Sequence, residues 1–507
     1  HDPCTVGAGV AQAWRRRAIA WGGRCSDSPA SPVLRMVRAD ASVLAWVAPQ
    51  CGRGWGEDGV TIRFGTDGWR AVIAEDFTFN AVRNLARAVA RVALAQAESG
   101  RPHVVVGYDR RFLSDAFAEV AASVLAEAGV NVSLTSGPVP TPAVSDAVRH
   151  LPADLGLVVT ASHNPARFNG IKIKNRHGAS ASRDLLGRVE RALDGQSEPA
   201  PTLDGGKVQV FDPVPDYLER LRHRVPVARL RSAGLTVVVD PMFGVNAGLL
   251  PELLGGDSTD VVEINTVHNP LFPGIAGPEP VERHLGRLGK VVARGGATIG
   301  NAFHGDGDRI GVVDEHGRYV STQHVFALLT RYVLSVRRLR GAIVKSVTGS
   351  AMIDRLGELA SVPVIETATG FPYIAEAMID EDAVIGGEES GGIAFGFHLP
   401  ERDGILSALA LLDYIVHTGK PVSQLLTDLE AHVGTWCYQR ADLPLPAQAR
   451  ETAAARIAGM QWPPTLAGIP VRGVEVIDGT RVELADGSWL LARPSGTEPL
   501  FGVYAEG

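Results

Sequence analysis

The chain has 507 residues, 45% of them apolar and 21% charged, a balance that fits three or four folded domains of about 150 residues each. Its net charge of −7, with no basic stripe, argues against nucleic acid and membrane as partners, and no apolar run is long enough to cross a bilayer. Three of the four cysteines (Cys4, Cys25, Cys51) fall in the first 51 residues and only Cys437 lies in the body, which fits a reducing, cytoplasmic setting.

Residues 1–60 stand apart. They hold Trp14, Trp21, Trp46 and Trp55, begin at His1 and show no period, so they read as a disordered extension or a mis-called start; a transit segment around Arg15-Arg16-Arg17 is the rival reading. Over residues 79–97, Val82, Leu85, Ala86, Val89 and Val92 recur at helical spacing and predict an amphipathic helix. Residues 104–106 predict a strand, 116–128 a helix, and 130–134 and 155–159 two more strands. Such alternation predicts a mixed sheet with helices on its faces. A second cycle starts with a strand at 235–239, and a third runs from 341–344 through 383–385. Residues 406–416 predict a helix, and beyond Gly434 the pattern becomes shorter and strand-rich, ending in a strand at 501–505 where a closing helix would be expected to follow. Turn-rich stretches at 196–213 and 417–422 predict linkers.

Four loops carry the chemistry. Thr160-Ala161-Ser162-His163-Asn164-Pro165 follows the apolar run 155–159, which places Ser162 just past a strand's carboxyl end, where open α/β sheets put their chemistry. A serine there beside a histidine is a candidate phosphate carrier or nucleophile, although the same residues also make ordinary turns. In His304-Gly305-Asp306-Gly307-Asp308-Arg309 two carboxylates at i and i+2 can converge on one hard cation, with glycines letting the backbone bend. Gly387-Glu388-Glu389-Ser390-Gly391-Gly392 offers groups suited to sugar hydroxyls. Arg493-Pro494-Ser495-Gly496-Thr497-Glu498-Pro499 offers a guanidinium, hydroxyls and free N–H groups suited to a phosphate. Each loop taken singly also reads as a turn or a solvated acidic segment.

With Phe64-Gly65-Thr66-Asp67-Gly68-Trp69-Arg70 ahead of them, these motifs resemble, in family order, the α-D-phosphohexomutase superfamily of phosphoglucomutases and phosphomannomutases. The likeness covers nearly all of the chain beyond about residue 60. It implies an α/β fold of three related mixed-sheet domains plus a smaller α+β C-terminal domain around a central cleft, with boundaries placed at 61–205, 206–320, 321–430 and 431–507. The implied activity is that of an isomerase, an intramolecular phosphotransferase that interconverts hexose 1-phosphate and hexose 6-phosphate, glucose favoured. It would use a phosphoserine, Mg2+ and a hexose 1,6-bisphosphate that also serves as activator. Its partners would be small sugar phosphates, and the protein a monomer or homodimer. By resemblance, Ser162 is the phosphoserine and a metal ligand, and Asp306 and Asp308 are further ligands with His304 at the first position. Arg309 would neutralise phosphate, and Lys172 would be the general base, with burial among cations lowering its pKa. Arg70 and His163 would flank the phosphoserine, Glu388 and Ser390 would bind the sugar, and Arg493, Ser495, Gly496 and Thr497 would grip the non-reacting phosphate. Arg111 is a weaker match that could serve structure only.

Three positions depart from the family pattern: His304 stands where the family has aspartate, Pro372 where relatives commonly carry a lysine, and Gly502 where an arginine normally backs the phosphate loop. Imidazole is a poor magnesium ligand, so weaker magnesium binding or a softer ion such as zinc or cobalt is expected. All three changes thin the charge aimed at phosphate or metal, which fits a slow mutase or a catalytically impaired sugar-phosphate-binding homologue. Within the family, phosphomannomutase and phosphoglucosamine mutase are the alternatives; Gly68-Trp69-Arg70 and the Glu388 loop lean toward phosphoglucomutase. A phosphatase reading of Ser162 is weak, since no Gly-x-Ser-x-Gly elbow surrounds it.

Overall fold

The computed structural model describes residues 62–97, 100–196, 203–495 and 500–507, so the expectation for residues 1–60 lies outside the described residues. Two compact units divide the chain: one ends at Val433, and the other comprises Gly434–Gly507 with Ser350–Met352.

The larger unit holds three sheets. The first contains β1 (Trp69–Val72), β2 (His103–Tyr108), β3 (Asn131–Thr135), β4 (Leu155–Val159), β5 (Phe168–Lys174) and β6 (Val208–Phe211), in the order β1-β5-β4-β2-β3-β6. β4, β2, β3 and β6 run parallel, while β5 and β1 pair antiparallel at the other side. All five residues of β4 are buried, as a central strand covered on both faces requires. The helix Phe79–Gln96 is capped by Thr78, whose side chain accepts from the Ala81 N–H, and it buries Val82, Leu85, Ala86, Val89 and Val92, the predicted stripe. Part of the stretch expected to be linker is instead strand: β6 pairs with β3, so the first sheet continues past residue 205. Its side chains give little warning, because Val208 and Val210 are exposed and only Phe211 packs against the core.

The second sheet contains β7 (Thr236–Asp240), β8 (Asp260–Glu263), β9 (Ile299–Phe303), β10 (Ile310–Val313) and β11 (Tyr319–Val320), ordered β11-β10-β9-β7-β8. β9 and β10 are antiparallel, which makes residues 304–309 a hairpin turn. The third sheet contains β12 (Ile343–Ser346), β13 (Val364–Thr367), β14 (Ile385–Gly387) and β15 (Ile393–Phe395), ordered β13-β12-β14-β15, and residues 388–392 link its antiparallel pair β14 and β15. Each candidate loop of this unit therefore leaves the end of an interior strand. Main-chain bonds anchor the 304–309 turn and its exit: Thr141 N donates to Asp306 O (2.9 Å), Gly404 N to Gly307 O (3.1 Å) and Ile310 N to Gly391 O (3.2 Å), the last reaching the Glu388 loop.

In the C-terminal unit, β16 (Tyr438–Pro444), β17 (Thr465–Leu466), β18 (Ile469–Val476), β19 (Thr480–Leu484), β20 (Trp489–Pro494) and β21 (Leu500–Glu506) form one antiparallel sheet with the helix Ala447–Ala458. The α/β class with an α+β C-terminal domain is what the sequence predicted. Among the described residues no helix is long and apolar enough to cross a membrane.

Candidate active site

Ser162 is fully buried and sits at φ 54°, in the left-handed region that a non-glycine residue occupies only when its surroundings impose it. Those surroundings are visible. The Arg111 guanidinium donates to the carbonyls of Ser162 and Asn164 (both 2.6 Å) and of Pro165 and Phe168 (both 3.1 Å). Burial pushes the Arg111 pKa down to about 10, against the pull of Asp109 beside it. Asp109 in turn accepts from Thr160 Oγ1 (2.6 Å), Ser114 Oγ (2.8 Å) and Arg111 N (2.9 Å). Arg111 is thus a clamp on the serine loop, the structural use its weaker match left open.

The Ser162 hydroxyl donates to Asp306 Oδ2 (2.9 Å) and accepts from Arg70 Nη2 (3.3 Å), whose other terminal nitrogen reaches Asn164 Oδ1 (3.0 Å). Of the two residues expected to flank the serine, Arg70 is on its oxygen, and the expected metal ligand Asp306 joins it there. Burial, then the cations Arg70 and Arg309, hold His163 far below the usual histidine range, so its ring is neutral at neutral pH. Its Nδ1 is buried without a protein partner.

His304, Asp306 and Asp308 converge. His304 Nδ1 lies 2.7 Å from Asp306 Oδ1 and 2.7 Å from Asp308 Oδ1, and all three side chains are fully buried. The turn that brings them together needs Gly307 at φ 82°, where a Cβ would also come within 2.6 Å of Asn246 Oδ1. Two convergent carboxylates suit a divalent cation. The third donor, a nitrogen, does not suit magnesium, which takes oxygen.

Lys172 corrects one expectation. It is not buried among cations alone: Nζ lies 2.8 Å from Asp67 Oδ2, 2.9 Å from Asp306 Oδ2 and 2.8 Å from Asp308 Oδ2. Burial lowers its pKa, but Asp306, Asp308 and Asp67 outweigh that and hold the ammonium above the ordinary lysine value. Burial likewise pushes the Asp67 and Asp308 carboxyls up, and Arg402 with Lys172 overrides it and holds both well below the usual range.

Glu388 is buried beside Ser390, whose Oγ lies 3.4 Å from Glu388 Oε2; burial raises the Glu388 pKa, opposed by Arg402 and Arg309. Arg309 pairs with Gly392 in an isolated antiparallel bridge, and its Nε is buried without a protein partner.

Sequence reasoning missed Arg402. This guanidinium is 1% exposed and lies 2.9 Å from Asp67 Oδ2, 3.0 Å from Asp308 Oδ2 and 3.5 Å from Glu388 Oε2, with the Phe371 ring at 4.8 Å. One side chain therefore reaches residues of three different loops. The signal was present in Glu401-Arg402-Asp403, but a charged triplet ahead of an apolar helix also reads as a helix start. Asp403 does cap the helix Gly404–Thr418 by accepting from Leu406 N (2.9 Å). Pro372 lies in the first turn of the helix Phe371–Asp380, where no backbone donor is needed, and brings no charge to the site.

In the C-terminal unit, Arg493 donates from Nε to Asp478 Oδ2 (3.0 Å), and Ser495 N donates to Leu500 O (2.8 Å). Gly496 and Thr497 lie outside the described residues. Gly502 pairs with Arg493 across β20 and β21; a Cβ there would meet the Tyr504 ring at 2.7 Å, and the Arg440 guanidinium lies 5.3 Å over that ring.

The chain matches the models of phosphoglucomutase/phosphomannomutase α/β/α domain I (residues 61–200), domain II (215–317), domain III (321–432) and the C-terminal domain (442–507). It is 30% identical to a phosphoglucomutase/phosphomannomutase of Thermococcus kodakarensis, over 87% of this chain and 94% of that protein. It is 34% identical to a phosphoglucosamine mutase of Mesorhizobium japonicum, over 88% and 94%. A crystal structure of a phosphoglucomutase/phosphomannomutase family protein from Burkholderia thailandensis superposes with a TM-score of 0.73 at 27% identity, covering 89% of this chain and 93% of that one. The fold and the buried serine–carboxylate cluster define a phosphohexomutase, and the chain belongs to the phosphoglucomutase/phosphomannomutase family.

Proposed function

We propose that this protein interconverts hexose 1-phosphate and hexose 6-phosphate, glucose favoured, through a phosphoserine at Ser162 and a hexose 1,6-bisphosphate. The observation that carries the proposal is the Ser162 hydroxyl, held in a strained backbone at 2.9 Å from Asp306 and 3.3 Å from Arg70. In the first transfer the phosphorus–Oγ bond breaks as a bond forms from phosphorus to the free sugar hydroxyl, which gives up its proton. In the second, the other phosphorus–sugar oxygen bond of the turned-over bisphosphate breaks as phosphorus bonds to Oγ, and the freed sugar oxygen takes up the proton given up in the first. Arg70 and Arg309 are suited to the charge on the phosphoryl oxygens, because preorganised donors are the main aid a protein can give this reaction. Asp306, Asp308 and His304 would hold a divalent cation, which when bound neutralises phosphoryl charge.

Lys172, as an ammonium, starts as a charge neutraliser and can accept the hydroxyl proton only once it has released its own to solvent, which requires its carboxylates to engage another cation. Glu388 and Ser390 would orient the sugar. Arg493, held at Nε by Asp478, would grip the non-reacting phosphate. Relatives that are phosphoglucosamine mutases favour a second reading, with a glucosamine phosphate as substrate. Turnover of glucose, mannose and glucosamine 1-phosphates, each with a trace of its bisphosphate, separates the readings. Failure of all three would favour the impaired, sugar-phosphate-binding homologue.

A further inference from the structure

The cation hairpin has two differently served sides. Its outer oxygens, Asp306 Oδ2 and Asp308 Oδ2, are met by Lys172 Nζ at 2.9 and 2.8 Å, and the first also accepts from Ser162 Oγ. Its inner oxygens, Asp306 Oδ1 and Asp308 Oδ1, are met by His304 Nδ1 at 2.7 Å each. Three donor atoms from one short turn thus lie within 4.8 Å of one another, on side chains with no solvent access. The turn holds that arrangement: His304 N donates to Arg309 O (3.2 Å), Gly307 N to His304 O (2.9 Å), and the His163 ring lies 5.5 Å from the His304 ring. His304 Nε2 is buried with no protein partner, so no hydrogen bond turns the ring away from the carboxylates.

An imidazole nitrogen with two carboxylate oxygens is a mixed donor set. Magnesium keeps to oxygen in near-ideal octahedral geometry and gains little from the nitrogen, whereas first-row transition ions gain from imidazole. We propose that this site is built for a divalent transition ion in preference to magnesium, with His304 Nδ1 as a direct ligand. The inference rests on the hairpin holding a cation, not on which sugar is turned over.

Pulsed electron paramagnetic resonance of the full-length protein loaded with Mn2+ tests it. The expected result is the coupling of a directly bonded nitrogen in the native protein, changed by 15N-histidine labelling and absent in His304→Asp. Any site containing nitrogen prefers Co2+ to Mg2+, so the informative quantity is how the ratio of their affinities, read by competition with bound Mn2+, responds to the substitution. It should fall at least ~10-fold in His304→Asp, the cost of even an outer-shell change. Oxygen couplings alone, no ion retained by the native protein, or an unchanged ratio would overturn the proposal. If the variant does not fold, the nitrogen signal of the native protein decides. Absence of mutase turnover with the nitrogen signal intact would sink the reaction proposed above and leave this one standing.

Discussion

The serine loop and the cation hairpin touch at Ser162 and Asp306, yet they are held by different means. The serine loop is gripped through its backbone, by one buried guanidinium on four carbonyls. The hairpin's carboxylates are held through charge, by Lys172 and Arg402. The difference suits the proposed chemistry. A phosphate carrier must present the same oxygen in every half-reaction, whereas groups that neutralise phosphate must exchange ionic partners as it arrives and leaves. Backbone clamping fixes a position; ion pairing leaves room for exchange.

Breaking each side should give a different failure. Ser162→Ala removes the carrier, and turnover should fall roughly 10³-fold or more. Far-ultraviolet circular dichroism should be unchanged. Arg111→Met removes the clamp and leaves Asp109 and several carbonyls buried without their partner, at a cost of about 3–5 kcal/mol by denaturant titration. A loss below about 1 kcal/mol would mean the clamp is idle.

Arg402→Met should disturb the ionic side, lowering kcat/KM by about 10²-fold through misplaced carboxylates, and Arg402→Lys should recover part of it. The same variant has a pH signature. Asp67 and Asp308 have depressed folded pKa values, so the stability they confer is whole above their unfolded value of about 4 and drains as pH falls through the folded values. Removing Arg402 raises those folded values toward the unfolded one, so the acid-side drop in melting temperature should be smaller and finish at a higher pH. An unmoved acid limb would show that Arg402 only packs.

The smallest effect is expected at Gly502. Gly502→Ala presses on the ring of the buried Tyr504 and should cost about 1–3 kcal/mol. If it costs more, the ring is fixed and has a role of its own.

The architecture was legible because its signals are local. The stripe from Val82 to Val92 and the apolar run of β4 state their period directly, and each candidate loop follows such a strand. Ser162, Arg70, Asp306 and Asp308 were found because they sit in motifs, and the fold brings them together. What escaped depends on contacts distant in the chain. Arg402 hid inside a helix-start pattern although it reaches Asp67, 335 positions earlier. Lys172 was judged among cations because the arginines are visible as motif residues, whereas the convergence of three carboxylates on its Nζ requires three separate loops to meet. β6 was missed because strand pairing, not side-chain pattern, makes it.

The central claim is that Ser162 lends and reclaims a phosphate. Its most direct test incubates the protein with hexose 1-phosphate carrying labelled phosphorus and follows the label by peptide mapping through a chase with unlabelled sugar phosphate. Label is expected on the peptide containing Ser162, lost in the chase and recovered at the 6-position of the sugar. No label on Ser162 while label still reaches the 6-position would contradict that claim.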